Sequence, residues 1–186
     1  MDALDLLMTR ESAMKLDSPA PSAEDLDRMF ASAVRAPDHG RLRPWRFVVI
    51  EGDKRERFGA LMAEAMHRRD PGASEEMLSR ERAKALRAPT IVAAAAHVQK
   101  GHRIPEVEQI AAAAAATQNI MLAAHAMGYG AMWKTGEPAY DPAVKTALGL
   151  DAEDEIVGFL YLGTNTGGSS PAARPAARDQ VTVWGG

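Results

Sequence analysis

Six consecutive alanines, Ala111–Ala116, lie inside the longest helical segment of the chain, Pro105 to Met127. Alanine favours the helix and has little side-chain bulk, so another backbone can approach closely. The segment therefore predicts a long helix packed tightly against a second helix, in the same chain or in a partner. Gly128-Tyr129-Gly130 breaks it.

The other elements have to assemble around that helix. Residues 2–9 place Leu4, Leu7 and Met8 on one helical face. Ser22, with Asp25 three residues on, reads as the N-cap of a helix ending at Arg35, with an apolar stripe of Leu26, Met29, Phe30, Ala33 and Val34. Residues 46–51 form a strand. Asp53 is positioned to cap a helix from Lys54 to about Arg68, and Ser74 starts a heavily charged helix that ends before Pro89. Thr90 to Val98 is apolar on both faces, which suits a buried central strand. Ala131-Met132-Trp133 is a short strand. Asp141-Pro142 opens a helix to about Leu148, and Ile156 to Leu162 is a second buried strand. Helices and strands mix without strict βαβ alternation, so the fold class is α+β. Gly163 onward is rich in Gly, Pro, Ser and Ala, which predicts a C-terminal arm over 164–186. Val181, Val183 and Trp184 can dock at its end as a late strand.

With 186 residues and 46% hydrophobic content, the chain can bury one sizeable core, which predicts a single domain over 1–186. A formal charge of -3 argues against a nucleic-acid binder, including one that uses Arg41, Arg43 and Arg46. There is no cysteine, hence no disulfide framework and no thiolate chemistry. The first residues lack the basic start and apolar run of a signal peptide, and the alanine run is bounded by Glu108, Gln109 and His125. A soluble, cytoplasmic protein that does not enter a membrane is expected.

Arg35 to Ile50 joins the end of one helix to the start of a strand through a cationic loop. Pro37 disfavours helix at Ala36, Gly40 permits a sharp turn, and Pro44 sets an extended approach to the strand. Arg35, His39, Arg41, Arg43 and Arg46 are carried on a loop supported at both ends, where they can face an anion or an electron-rich ring, or simply be solvated.

Common catalytic signatures are missing. There is no Gly-x-Ser-x-Gly elbow, no phosphate-cradling P-loop and no Gly-x-Gly-x-x-Gly after a strand; Gly128-Tyr129-Gly130 lacks the third glycine and follows a helix. His97 and His102, with Glu106 and Glu108 downstream, match no zinc spacing, so no metal is expected. Three separated clusters instead offer what a phosphorylated aromatic cofactor needs: Arg10-Glu11-Ser12, the pair Arg35 and His39, and Trp133-Lys134-Thr135-Gly136. Flavin mononucleotide asks for cations at its phosphate, a cation near the edge that gathers negative charge, and a donor near the atom that accepts hydride. Taken singly, each cluster has an ordinary role: a helix-end charge for Arg10, a local cap for Ser12, a core ring for Trp133, a surface charge for Lys134.

Taken together, in order, these clusters carry a resemblance. It runs through Met1-Asp2-Ala3-Leu4, Arg10-x-Ser12, Arg35-Ala36-Pro37-Asp38-His39, Pro44-Trp45-Arg46-Phe47, Arg87-Ala88-Pro89, Glu108-Gln109, Trp133-Lys134-Thr135-Gly136 and Ile156-Val157-Gly158-Phe159-Leu160-Tyr161-Leu162-Gly163-Thr164. Across most of its length the chain resembles the nitroreductase family of FMN-dependent NAD(P)H oxidoreductases, in its short YdjA-like branch. The resemblance implies a central mixed β-sheet flanked by helices and an intertwined homodimer with FMN at the interface. It implies FMN contacts at Arg10, Glu11 (through its backbone), Ser12, Arg35, His39, Trp133, Lys134 and Thr135. It places the NAD(P)H donor at the helix end Ala123, Ala124, His125, Ala126, Met127 and Gly128. The chain departs from the family pattern at Glu11, where a second Arg is usual, and at Lys134, where Arg is usual; lysine is a point charge and lacks the bidentate fork. The short chain also lacks the helical insertions of longer relatives, which predicts an open cleft.

The implied activity passes electrons from NAD(P)H through FMN to a nitroaromatic, quinone or similar acceptor, by a ping-pong mechanism in one open cleft. The flavin carries the chemistry, so no side chain need be a strong acid or base. The alternative is a flavin-binding module for storage or sensing with little turnover.

Overall fold

The computed structural model describes residues 2–168 and 174–185. In chain order the elements are α1 (Ala3–Thr9), β1 (Leu16–Asp17), α2 (Ala23–Ala33), β2 (Trp45–Glu51), α3 (Lys54–Arg69), α4 (Glu75–Lys84), β3 (Thr90–Ala96), α5 (Glu106–Ala126), β4 (Gly130–Lys134), α6 (Pro142–Ala147) and β5 (Glu155–Asn165).

Three predicted caps form. The Ser22 hydroxyl accepts from the Asp25 N–H, which caps the start of α2, and donates to the Asp25 carboxylate. The Ser74 hydroxyl accepts from the Met77 N–H, and the Asp141 carboxylate accepts from the N–H groups of Ala143 and Val144. Asp53 also stands at its N-cap position, but with φ -67° and ψ -21° it is itself helical, and its side chain makes no cap bond. An N-cap side chain reaches back only from an extended backbone, so the geometry explains the failure.

β5 is the central strand and pairs with β1, β3 and β4, while β2 adds to the far side of β3. Among the described residues every pairing is antiparallel, where the resemblance implies a mixed sheet. The connection between β2 and β3 gives the reason. α3 and α4 pack against each other as a helical hairpin that leaves and re-enters one end of the sheet, so Glu51, the last residue of β2, lies opposite Thr90, the first of β3. β5 runs to Asn165, beyond the predicted Leu162, because Asp17 and Leu16 pair with Thr164 and Asn165. The predicted late strand is not formed: Val181 and Val183 lie on exposed chain after a 3-10 turn at Ala177–Gln180, and Trp184 is 97% exposed. The part of the arm at 169–173 lies outside the described residues.

Side chains alternate across the strands and build two apolar layers. Ile50, Ile91, Phe159 and Tyr161 face α3 with its Phe58 and Met62, while Val92, Leu160 and Leu162 face α2 and α5. All of β3 is buried. The close helix partner of α5 is α2 in the same chain. Asn119 Nδ2 donates to the Ser32 carbonyl at 3.1 Å, the Ser32 hydroxyl lies 3.3 Å from the Asn119 carbonyl, and the Tyr129 hydroxyl donates to Asp25 at 2.8 Å. Those contacts fix α2 antiparallel to α5, so the chain leaving α2 travels toward the start of α5.

Candidate flavin site

The cationic loop is braced from three sides. Asp38 holds it from within: its carboxylate accepts the N–H groups of Leu42 at 3.2 Å and Arg43 at 2.7 Å. Gly40 packs so closely on Ile104 that a Cβ would sit 2.2 Å from its Cδ1, and the Pro44 carbonyl accepts the His97 N–H at 2.6 Å. Between these braces the backbone takes a left-handed conformation at Gly40 (φ 72°), Arg41 (φ 56°) and Arg43 (φ 50°). For the two arginines that costs on the order of 1–3 kcal/mol each, and such strain persists only where the surroundings over-determine it. Arg35, two residues past the end of α2, is exposed, as is His39, whose Nδ1 lies 2.5 Å from Glu108 Oε2 on the first turn of α5.

Arg10-Glu11-Ser12 lies at the other end of α5. Arg10 closes α1, with its N–H donated to the Leu6 carbonyl, and Ala13 bonds the Ala131 carbonyl at 2.9 Å, which ties the segment to β4. Thr9 Oγ1 stands 3.3 Å from His125 Nε2. Glu11, Ala13, His125, Gly128 and Tyr129 line a cleft of about 190 Å³. Of the six residues implied for the nicotinamide, His125 and Gly128 face this cleft, Ala126 is at the surface, and Ala124 is wholly buried against the sheet.

Trp133 and Lys134 close β4. A bulge in β5 leaves Val157 opposite no residue of β3, and the Val157 carbonyl accepts the Trp133 indole N–H at 3.2 Å. The indole lies over Gly158, where a Cβ would come 2.1 Å from Nε1, so only glycine fits beneath it. Lys134 and Thr135 border a second cavity of about 160 Å³ with Arg69, Glu81, Lys84 and Tyr161. Burial pushes the Tyr161 hydroxyl up to about 12, so it stays neutral.

One chain does not bring all three clusters together. Arg10-Glu11-Ser12 joins His125 and Gly128, and Lys134 joins Thr135. His39, tied to Glu108, lies seventeen residues of α5 away from His125, which is about 25 Å at roughly 1.5 Å per residue. Two features were not foreseen from the sequence. One is the His39–Glu108 pair, whose partners are 69 positions apart. The other is the cluster of His97, Asp151 and Asp154, which shares only His97 with the sequence grouping of His97, His102, Glu106 and Glu108. In it Asp154 is buried and already engaged: its carboxylate accepts from His97 Nδ1 at 2.7 Å and from the Asp151 N–H at 3.0 Å, closing the turn into β5. His102 is likewise engaged, its Nδ1 accepting the Ile104 N–H at 3.1 Å.

Residues 7–164 match the model described as the nitroreductase family. The chain belongs to the nitroreductase family. It is 40% identical over 164 residues, 88% of each chain, to "Putative NAD(P)H nitroreductase YdjA" of Escherichia coli strain K12. A nitroreductase-like family protein of Bacillus cereus has the same fold, with a TM-score of 0.84 at 23% identity over 100% of this chain and 97% of that one. A Desulfovibrio desulfuricans protein, a "putative nitroreductase in complex with fmn", gives 0.73 at 25% identity over 94% of this chain and 92% of its own. Within this nitroreductase-family chain, no helix of the described residues is long and apolar enough to cross a membrane.

Proposed function

We propose that this chain is an FMN-dependent oxidoreductase passing electrons from NAD(P)H to a nitroaromatic, quinone or similar acceptor, as a homodimer whose flavin sites are each shared between two chains. The observation that carries the proposal is a pair of side chains. Among the described residues, Arg10 and Lys134 are the only partly buried cations whose side chains make neither a hydrogen bond nor an ion pair; Arg55, Lys84 and Lys145 have protein partners. A charge withdrawn from water needs a counter-charge, and an unpaired cation at such a position fits a phosphate.

Bound FMN supplies the chemistry, taking a hydride and handing electrons on. Arg10 and Ser12, which flank Glu11 at the cleft beside His125, and Lys134, a point charge on the separate cavity at the end of β4, are the groups offered to its phosphate end. Glu11 contributes backbone, Trp133 a fixed ring, and Thr135 a hydroxyl. Arg35 and His39, on the braced loop, bring a positive charge and an imidazole to the edge where negative charge gathers. His125 and Gly128 border the cleft that takes the nicotinamide, and donor and acceptor use this open space in turn. The separation of about 25 Å along α5 supports sharing, because a second chain can bring its Arg35 loop to the first chain's phosphate cluster.

Mixed variants test the arrangement. Arg10→Ala and Arg35→Ala should each weaken FMN binding about ten- to hundredfold, the weight of one charge-assisted hydrogen bond. A heterodimer of the two has one doubly damaged cleft and one intact cleft. It should therefore take up FMN, turn yellow and oxidise NAD(P)H at about half the rate of the unaltered dimer. No recovery on mixing would place both groups in one chain, and binding without NAD(P)H oxidation would make the protein a flavin store or sensor.

A further inference from the structure

We infer that Glu108 is a positioning residue: its carboxylate decides which ring nitrogen of His39 is presented to the flavin. The inference rests on the reading above that His39 faces the flavin. An ionised carboxylate only accepts hydrogen bonds, so at 2.5 Å from Glu108 Oε2 it is His39 Nδ1 that carries the proton and donates it. Nε2, on the opposite side of the ring, is then the nitrogen left free for a ligand.

Both partners stand on fixed backbone. Glu108 lies in the first turn of α5, where the helix N-terminus favours a carboxylate. The adjacent Gln109, 2% exposed, locks that turn: its amide accepts from the Gln99 N–H and donates to the carbonyls of Gln99 and Ile104. Ile104 in turn seats Gly40, next to His39. An ordinary surface ion pair joins two wandering side chains and contributes little. Here both backbones are held, so the bond sets the orientation of the imidazole.

The test uses the full chain, with and without FMN, in Glu108→Gln, Glu108→Leu, His39→Ala and His39→Ala/Glu108→Leu. In the flavin-free protein, nitrogen-resolved NMR of His39 should show the proton on Nδ1, and Glu108→Leu should abolish that preference. In the loaded protein, Glu108→Leu should weaken FMN affinity about three- to tenfold, the weight of one hydrogen bond, and shift the flavin midpoint potential in the same direction as His39→Ala. Glu108→Gln should fall between Glu108→Leu and the unaltered chain. The double variant should be no worse than His39→Ala alone. If His39→Ala changes neither affinity nor potential, His39 does not face the flavin, and both readings fall together. If His39→Ala shifts them and Glu108→Leu does not, or if the two effects simply add, Glu108 does not act through His39, and this inference alone is overturned.

Discussion

Arg41 and Arg43 show how far single residues depart from their local preferences at this site. Pro37, Gly40 and Pro44 announce a turn in the sequence. Left-handed arginines carry no sequence signal, since the conformation is imposed by Asp38 below and Ile104 beside the loop. Glycine adopts that conformation without penalty, so Arg43→Gly should raise unfolding free energy by about 0.5–1 kcal/mol, after glycine's greater entropy loss is counted. Asp38→Ala should act the other way, by about 1–2 kcal/mol, because two backbone donors lose their acceptor. Urea denaturation of both variants measures the two effects. Arg10, Ser12, Arg35, His39 and Lys134 stand out in the sequence by their chemistry. The Glu108 contact does not, since nothing local relates a residue on the first turn of α5 to a loop 69 positions earlier.

Elements were legible where a cap or a period marked them. Ser22, Ser74 and Asp141 start helices through their own side chains. Asp53 looks the same in sequence and fails, because cap function depends on a backbone angle that composition does not encode. The antiparallel sheet was hidden for a related reason: strand direction follows from how α3 and α4 fold back on each other. Asp141 also ties α6 to α3, through Arg68 at 3.0 Å and Arg69 at 3.7 Å. Burial pushes its carboxyl up, but the Val144 and Ala143 N–H groups and the Arg68 guanidinium outweigh burial and hold it below the ordinary 3.8. A carboxyl lowered on folding contributes stability above its unfolded value and loses it as the pH falls through the folded one. Stability should therefore decline below about pH 4, and Asp141→Asn, which still caps α6, should flatten that decline in thermal melts at pH 7 and pH 3.

For the whole molecule, the apolar surface that one chain leaves uncovered agrees with the proposed dimer. Leu4, Leu7 and Met8, predicted as one helical face, are exposed along α1, which buries none of its residues. α1 also leads directly into Arg10. Leu7→Asp should therefore weaken association and FMN binding together, as read by sedimentation and flavin fluorescence in parallel. Dissociation with flavin retained would separate α1 from the interface.

The distance along α5 has a genetic consequence. Glu108 and His125 are linked by a rigid rod, so each residue added between them advances the far end by about 1.5 Å and turns it by about 100°. The alanines between them tolerate exchange for other small residues far better than a change in their number. A scan of single-codon insertions should find 109–124 closed to length change, with FMN retention lost at every position. The exposed residues 174–185 should accept insertions at little cost to stability. α5 thus acts as a gauge: its length in residues is under tighter constraint than its spelling.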